Sequence, residues 1–275
     1  MSKYNINEMN LYKSTNRFMK SYFALKKELK RAPTINELSS IDHLHYNGIK
    51  AVDNAIKEAK IKKDSIVLDI GSGIGGPARY IAYKTNALVY AVEIQNDLHK
   101  IGQMLTNDYN LNKSVKHIKE DINKFSAEKI KFNIVVSWLA LYHIADHKKL
   151  LEKINVIMKK NGYFYTEDFF LVNDLDSREK EILSKSFHAN HLVGYEEYLQ
   201  ELCNKSFKVI SHKDMTENWL KFTKTRLDSY KDNFEKNITL FGLSTAENVL
   251  TFYELAYSLL FKKKIGGIRF LCQKI

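Results

Sequence analysis

The residues best suited to chemistry lie in a glycine-rich turn. Residues 67–77 read VLDIGSGIGGP, so an apolar segment leads directly into glycines and then into Pro77, which suits the first turn of a helix. Glycines let the backbone turn tightly and approach a ligand without a Cβ in the way. The pattern therefore predicts a nucleotide-binding turn. Its candidate cofactor contacts are Asp69, Gly71, Ser72, Gly73 and Gly75.

An acid and a histidine end two later apolar segments. Glu93 follows Asp69 by 24 residues, the position at which a carboxylate accepts hydrogen bonds from a ribose diol. His143 lies just past the fourth apolar segment, on the rim where parallel sheets place their sites. Its imidazole is a candidate general base for a substrate nucleophile, and a packing role is the alternative. Two neighbouring residues are added as candidate cofactor contacts, Ile94 and Ser137.

Aromatic and basic residues near these positions are candidates for holding a substrate. They are Trp138, Tyr142, Trp219 and Arg226. Aromatic faces attract a cationic amine by about 0.5 to 2 kcal/mol per contact, and an arginine suits a carboxylate. The alternatives are hydrophobic core for the aromatic residues and a helix-surface cation for Arg226.

These residues need a parallel sheet to bring them together. From residue 66 onward, short apolar segments alternate with amphipathic helices, the pattern of βαβ units. We predict strands at 66–70, 88–92, 115–118, 134–138, 163–167, 207–212 and 268–273. We predict helices within 4–30 and at 49–59, 77–84, 96–107 and 148–159, with a helical block over about 218–261. The predicted fold class is α/β, a seven-stranded Rossmann-like sheet with helices on both faces.

The segments outside the sheet predict the domain organisation. Residues 1–48 should form an N-terminal helical cap, in which Thr34 and Glu37 match a capping box that opens a short helix. Residues 49–275 should form the catalytic domain. A helical insertion on the substrate side should occupy about 218–264, between strands six and seven.

Composition excludes several classes of protein. The net charge of +11 is spread over scattered lysines, which favours solvated faces over a nucleic-acid footprint. Cys203 and Cys272 lie far apart without a C-x-x-C pattern, so neither a disulfide framework nor a metal site is expected. No apolar segment is long enough to span a bilayer. We therefore expect a cytoplasmic protein, monomer or homodimer, without nucleic-acid or membrane partners.

Taken together, these motifs resemble the class I small-molecule methyltransferases of the glycine, sarcosine and dimethylglycine type, with phosphoethanolamine and sterol methyltransferases. The resemblance covers nearly the whole chain. It is carried by DHLHYNG at 42–48, VLDIGSGIGGPAR at 67–79, LYHIAD at 141–146, YTEDFF at 165–170 and the segment from 214 to 269. Residues 137–140 do not match the Asp/Asn-Pro-Pro-aromatic sequence of enzymes that methylate exocyclic base amines.

The resemblance implies S-adenosylmethionine as the cofactor and roles for several residues. Asp121 and Ile122 correspond to the contact with the adenine amino group, although Asp121 also suits a helix N-cap. His143 corresponds to the histidine beside the substrate in phosphoethanolamine enzymes. Tyr46 lies in the segment that closes over the cofactor and is a candidate catalytic residue. The tyrosine that partners the histidine stays open among Tyr12, Tyr22 and Tyr46.

The expected activity is S-adenosylmethionine-dependent methyl transfer to a small molecule, to the nitrogen of an amine or amino acid. Two alternatives stay open. One is O-, S- or C-methylation of a small acid or lipid-like acceptor. The other is a non-catalytic protein that binds the cofactor or associates with RNA.

Overall fold

The computed structural model describes Met9, residues 12–127 and residues 130–275, and the predicted cap and first helix lie partly outside these residues. The strands of the described chain are β1 Ile66–Ile70, β2 Leu88–Glu93, β3 Val115–Lys119, β4 Phe132–Trp138, β5 Met158–Leu171, β6 Phe207–Asp214 and β7 Ile265–Lys274. They form one sheet in the order β3-β2-β1-β4-β5-β7-β6. Strands β1 to β5 pair in parallel, and β7 is antiparallel to both neighbours.

Helices connect most of the strands. They are α1 Asn16–Leu29, α2 Ile35–Asp42, α3 Ile49–Glu58, α4 Gly76–Thr85, α5 Asn96–Asp108, α6 His147–Ile157, α7 Ser177–Ser186, α8 Tyr195–Cys203, α9 Thr216–Asp232, α10 Phe234–Phe241 and α11 Leu243–Phe261. The predicted α/β class and the helical insertion between β6 and β7 are confirmed. The capping box is present, because Thr34 and Glu37 exchange side-chain-to-backbone hydrogen bonds at the start of α2. No helix in the described chain is long and apolar enough to cross a membrane.

Four elements differ from the prediction. Helix α6 ends at Ile157, and β5 is longer at both ends than residues 163–167. Its extension is sterically possible because Phe170 lies opposite Gly266 of β7, where a Cβ would sit 2.4 Å from the phenyl ring. Helices α7 and α8 were not predicted. They cover the chain between β5 and β6.

The sheet is packed on both faces, and this fixes the end of β1. Leu68 and Ile70 face a cluster that includes Leu150 of α6, whereas Val67 faces the opposite cluster, which includes Ala78 of α4. Side chains of a strand alternate between faces, so β1 lies at the centre of both clusters. Its carboxyl end, where the glycine turn begins, is therefore held between two packed layers.

Candidate active site

The carboxyl ends of β1, β2 and β4 open into a cavity of about 920 Å³ including its mouth, which we call the cofactor cavity. The residues proposed from sequence that line it are Asp69, Gly71, Ser72, Gly73, Glu93, Ile94, Asp121, Ile122, Trp138 and His143. Gly75 and Ser137 are not among its lining residues. Gly75 is the N-cap of α4, and the Ser137 hydroxyl donates a hydrogen bond of 2.9 Å to the Ile70 carbonyl inside the sheet.

Gly71 shows why the turn requires glycine. Its φ is +70°, a region that residues with a Cβ rarely adopt. A Cβ at Gly71 would also lie 2.3 Å from the Ala140 Cβ. The turn is held to β2, because the backbone N–H groups of Gly71 and Ser72 both donate to the Val92 carbonyl at 3.0 Å. The first part of the predicted nucleotide turn is therefore fixed by close packing.

Two acids lie on the wall of the cavity beneath this turn. The Glu93 carboxylate accepts hydrogen bonds from the backbone N–H of Gly73 at 2.9 Å and of Gln95 at 2.7 Å. Burial nevertheless raises the pKa of Glu93 to about 7. Burial, with the Glu93 charge, raises the pKa of Asp69 to about 8. A carboxyl group keeps acceptor capacity whether or not it is ionised, so both acids can accept hydrogen bonds from ligand hydroxyl or amino groups.

Several buried polar atoms at this cavity have no hydrogen-bond partner in the described chain. They are Asp69 Oδ2, Ser72 Oγ, Gln95 Oε1 and Trp138 Nε1. Buried polar groups normally pair, so a ligand with both donors and acceptors would satisfy them. The adenosine and amino-acid parts of S-adenosylmethionine carry both. The residues present fit this cofactor.

Asp121 has a local partner as well as a position at the cavity. Its Oδ1 accepts a hydrogen bond of 2.9 Å from the Asn123 N–H. Its carbonyl accepts from Lys124 and Phe125, each at 2.8 Å, in a turn rather than in an α-helix. Asp121 thus caps a turn instead of the helix that was considered from sequence.

His143 ends a 3₁₀ turn, Leu141–His143, at the rim of the cofactor cavity. Its Nδ1 lies 3.0 Å from the His188 carbonyl. A carbonyl only accepts, so Nδ1 carries the hydrogen and Nε2 keeps its lone pair. Burial lowers the pKa of His143 to about 4. The imidazole is therefore neutral at pH 7, with one nitrogen available to accept a proton or a hydrogen bond.

A second cavity of about 1020 Å³ adjoins the first, and we call it the acceptor cavity. The two cavities share a wall formed by Tyr12, Leu44, His45 and Leu139. Three residues proposed from sequence line the acceptor cavity, Tyr46, Tyr142 and Arg226. Trp219 does not line it. Trp219 is fully buried behind Tyr46, on which it stacks with ring centroids 4.2 Å apart.

Two arginines line the acceptor cavity. Arg17 of α1 and Arg226 of α9 both line it, and none of its described lining residues is an aspartate or glutamate. Burial lowers the pKa of Arg17, and repulsion by Arg226 acts in the same direction. Two guanidinium groups in one partly desolvated cavity favour a ligand with an anionic group.

The shared wall contains His45, which the sequence did not place in the site, and Tyr12, one of the three tyrosines left open as partner of His143. His45 donates through Nδ1 to the Tyr46 carbonyl at 2.9 Å, and its buried Nε2 has no partner in the described chain. Burial lowers the pKa of His45 well below its usual value. Burial raises the pKa of Tyr12, whereas the third tyrosine considered, Tyr22, donates to Asp108 away from both cavities. The DHLHYNG motif was the signal for His45.

One group of described side chains has the composition of a metal site. It consists of His147, His191 and Glu201, whose candidate ligand atoms all lie within 4.8 Å of one another. None of the three lines the cofactor cavity or the acceptor cavity. The group was not expected from sequence.

The comparisons with known proteins agree with this geometry. Residues 43–220 match the model of a family described as a methyltransferase domain. The chain is 24% identical to phosphoethanolamine N-methyltransferase of Plasmodium falciparum over 206 residues, which cover 73% of this chain and 75% of the relative. It is 26% identical to sterol 24-C-methyltransferase erg-4 of Neurospora crassa over 165 residues, 57% of this chain but only 43% of that enzyme.

A solved structure shows the same fold. It is phosphoethanolamine N-methyltransferase 2 of Haemonchus contortus in complex with phosphomonomethylethanolamine and S-adenosylhomocysteine. The TM-score is 0.80 at 16% identity, over 98% of this chain and 60% of that one.

Proposed function

The chain belongs to the methyltransferase-domain family, whose members use S-adenosylmethionine, and on that premise we propose that it methylates the nitrogen of a small amine bearing an anionic group. The observation that carries this proposal is the acceptor cavity. It adjoins the cofactor cavity, and its lining includes the guanidinium groups of Arg17 and Arg226. Phosphoethanolamine, the acceptor named for the Plasmodium relative, combines an amine with an anion.

The chain's residues would divide the work between the two cavities. S-adenosylmethionine supplies an electrophilic methyl group. Asp69 and Glu93 would hold its hydroxyl and amino groups. The glycine turn would let the cofactor lie close to the protein backbone. Arg226 would hold the acceptor's anion, so the amine is placed at the shared wall. Such positioning, together with exclusion of water, is the main contribution a protein makes to a displacement reaction.

Two neutral imidazoles would handle the proton of the amine. An amine attacks only when its nitrogen has a free lone pair, and transfer leaves a proton to be removed. His143 at the cofactor cavity and His45 in the shared wall each have Nδ1 bonded to a carbonyl. Their Nε2 atoms would accept a hydrogen bond from the amine N–H and so direct its lone pair towards the methyl group.

The elements around the acceptor cavity suggest the domain roles. Residues 12–48 and helices α9 and α11 supply most of its lining, for example Arg17, Tyr46, Thr223 and Phe252. We infer that the N-terminal segment acts as a cap and that α9–α11 form the acceptor-side insertion. The Asn47 amide donates to the Asn218 side chain at 2.7 Å and links the two.

A second candidate, C-methylation of an apolar acceptor, is favoured by one observation. Part of the acceptor cavity is apolar, with Met9, Phe18, Ile41, Phe169 and Phe252 in its lining. The sterol relative methylates carbon according to its name. This acceptor would leave both arginines without a function in binding.

Matched acceptors separate the two candidates. Purified protein is incubated with labelled S-adenosylmethionine and with an amino acid, its uncharged amide, phosphoethanolamine or a sterol, and release of S-adenosylhomocysteine is followed. We expect at least about tenfold higher kcat/KM for an anionic amine than for its neutral analogue, since a charge-assisted bond contributes about 1.5 to 3 kcal/mol. Turnover of the sterol alone would contradict the proposal.

Arg226→Gln tests the anion site. We expect a higher KM for the anionic amine, by about tenfold or more, with little change for the neutral analogue. Arg178→Gln is the matched control, because Arg178 is exposed on α7. An equal loss for both acceptors would remove Arg226 from anion binding.

A further inference from the structure

Three side chains from three separate segments converge on one point outside the two cavities. His147 opens α6, His191 lies between α7 and α8, and Glu201 belongs to α8. His147 Nδ1 and His191 Nε2 lie 2.8 and 3.0 Å from the same oxygen, Glu201 Oε2. The two imidazole rings stack with centroids 4.0 Å apart. The side chains are 1%, 16% and 28% exposed, so the group is mostly enclosed but reachable from solvent.

We propose that His147, His191 and Glu201 bind one Zn²⁺ ion. Two imidazole nitrogens and one carboxylate oxygen form a donor set typical of this ion, with solvent as the fourth ligand. Zinc bonds of about 2.0 to 2.2 Å in a tetrahedron place ligand atoms roughly 3.3 Å apart. The observed nitrogen-to-oxygen contacts of 2.8 and 3.0 Å need to open by only a few tenths of an ångström.

The alternative is a hydrogen-bonded triad, in which Glu201 accepts from both imidazoles. In that triad each imidazole nitrogen facing Glu201 carries a hydrogen. To bind zinc, each ring must present that nitrogen without its hydrogen, which moves to the other ring nitrogen. The three ligand atoms are already gathered within 4.8 Å, and the two rings would tilt out of their parallel stack to direct both nitrogens at one ion.

The ion would fix the segment that holds His143. The backbone N–H groups of Asn190 and His191 each donate to the Tyr142 carbonyl at 3.0 Å. The Asn190 amide donates to the His143 carbonyl at 2.8 Å, and the His188 carbonyl accepts from the His143 ring. A zinc ion bound by His147, His191 and Glu201 would clamp this segment to α6 and α8. It would therefore have a positioning role for His143.

Metal binding can be measured without an acceptor. Untagged full-length protein is stripped with a chelator, titrated with ZnCl₂ by calorimetry, and its zinc content is measured after dialysis. We expect about one zinc per chain, a higher Tm with zinc, and tetrahedral visible absorption with Co²⁺. His191→Ala and Glu201→Gln should each weaken zinc binding by about tenfold or more.

His212→Ala is the matched control, because His212 lies on the edge strand β6 and contacts the Tyr195 hydroxyl instead. It should bind zinc as the wild type does. Wild-type protein that retains no zinc, or a folded Glu201→Gln variant that binds it with unchanged affinity, would overturn the proposal. Zinc content and affinity are measured without cofactor or acceptor, so the zinc proposal and the methyl-transfer proposal can fail separately.

Discussion

His143 and His45 have the same local design on different segments. Each donates through Nδ1 to a backbone carbonyl, which fixes the tautomer and leaves Nε2 to the cavities. Burial keeps both rings neutral. They differ in position, because His45 lies in the wall between the cavities whereas His143 lines only the cofactor cavity. Both should therefore contribute to the reaction, through different contacts.

We expect His143→Gln to lower kcat by about 10²- to 10⁴-fold, the usual contribution of an acid–base residue. His45→Gln should lower kcat by at least about tenfold through loss of the contact at the shared wall. The exposed His212→Gln serves as the control. Steady-state kinetics at saturating cofactor measure the effect, and full activity of His143→Gln would remove it from the chemistry.

The pH dependence of the same variants tests the ionisation of His143. Its neutral form accepts the proton, and its pKa is lowered to about 4. Ionisation of the amine affects the wild-type and His143→Gln rates equally, so it cancels in the ratio of the two rates. This ratio should stay constant from about pH 9 down to pH 5.5 and fall towards pH 4. A fall centred near pH 6.5 would contradict a buried, neutral imidazole.

At the scale of elements, the junction between β1 and α4 depends on close backbone packing. Gly71→Ala would place a Cβ 2.3 Å from the Ala140 Cβ at a φ of +70°. We expect a loss of about 1 to 3 kcal/mol of unfolding free energy and weaker cofactor binding. Adding Ala140→Gly should restore the part of the unfolding free energy that is lost to the clash. Denaturant unfolding measures the stability of the single and double variants. No recovery in the double variant would mean that backbone strain alone explains the need for glycine at position 71.

The cap is tied to the cofactor turn by a buried ion pair. Arg79 of α4 donates to Asp42 of α2 at 2.9 Å, and also to the Ile74 carbonyl inside the turn. Arg79→Met should cost about 3 to 5 kcal/mol of unfolding free energy, because it leaves a buried carboxylate unpaired. The double variant with Asp42→Asn should cost less. Arg31→Met is the control, because it breaks the exposed Arg31–Glu37 pair, leaves the capping box of Thr34 and Glu37 intact and should change little.

The sequence predicted elements better than it predicted cavity walls. The β1-turn-α4 unit was recognisable because apolar residues, glycines and a helix start follow one another within residues 66–77. Helix α7 was missed, since Ile182 and Leu183 are the only aliphatic residues within Ser177–Ser186. Whether a residue lines a cavity depends on the direction of its side chain, which the sequence pattern did not predict. The Ser137 side chain turns into the sheet although its neighbour Trp138 reaches the cavity.

At the scale of the whole molecule, buried acids and histidines predict how stability depends on pH. Burial raises the pKa of Asp69 to about 8 and of Asp168 to about 7, so each acid lowers the stability of the folded chain from about pH 4, where the unfolded carboxyl ionises, up to its folded pKa. Burial lowers the pKa of His117 to about 3, so its contribution is lost as pH falls below about 6.5, where the unfolded imidazole binds a proton. His117 offsets part of the acids' effect below about pH 6.5 but not above it, so ligand-free protein should lose stability from about pH 6.5 to pH 8.

Thermal unfolding from pH 5 to 9 measures this loss of stability. Asp69→Asn should reduce the loss of stability on the alkaline side, because the amide does not ionise. Stability that rises steadily from pH 6 to 9 would contradict the burial of these acids in an uncharged state.

The two adjoining cavities, one for the cofactor and one with two arginines, are the centre of the account. The most direct test is to supply S-adenosylmethionine with a ¹³C-labelled methyl group and an anionic amine, and to locate the label in the product by NMR. We expect the label on nitrogen, with loss of transfer to this acceptor when Arg226 becomes Gln. Label found on a carbon atom of an apolar acceptor, with transfer unaffected by Arg226→Gln, would contradict it.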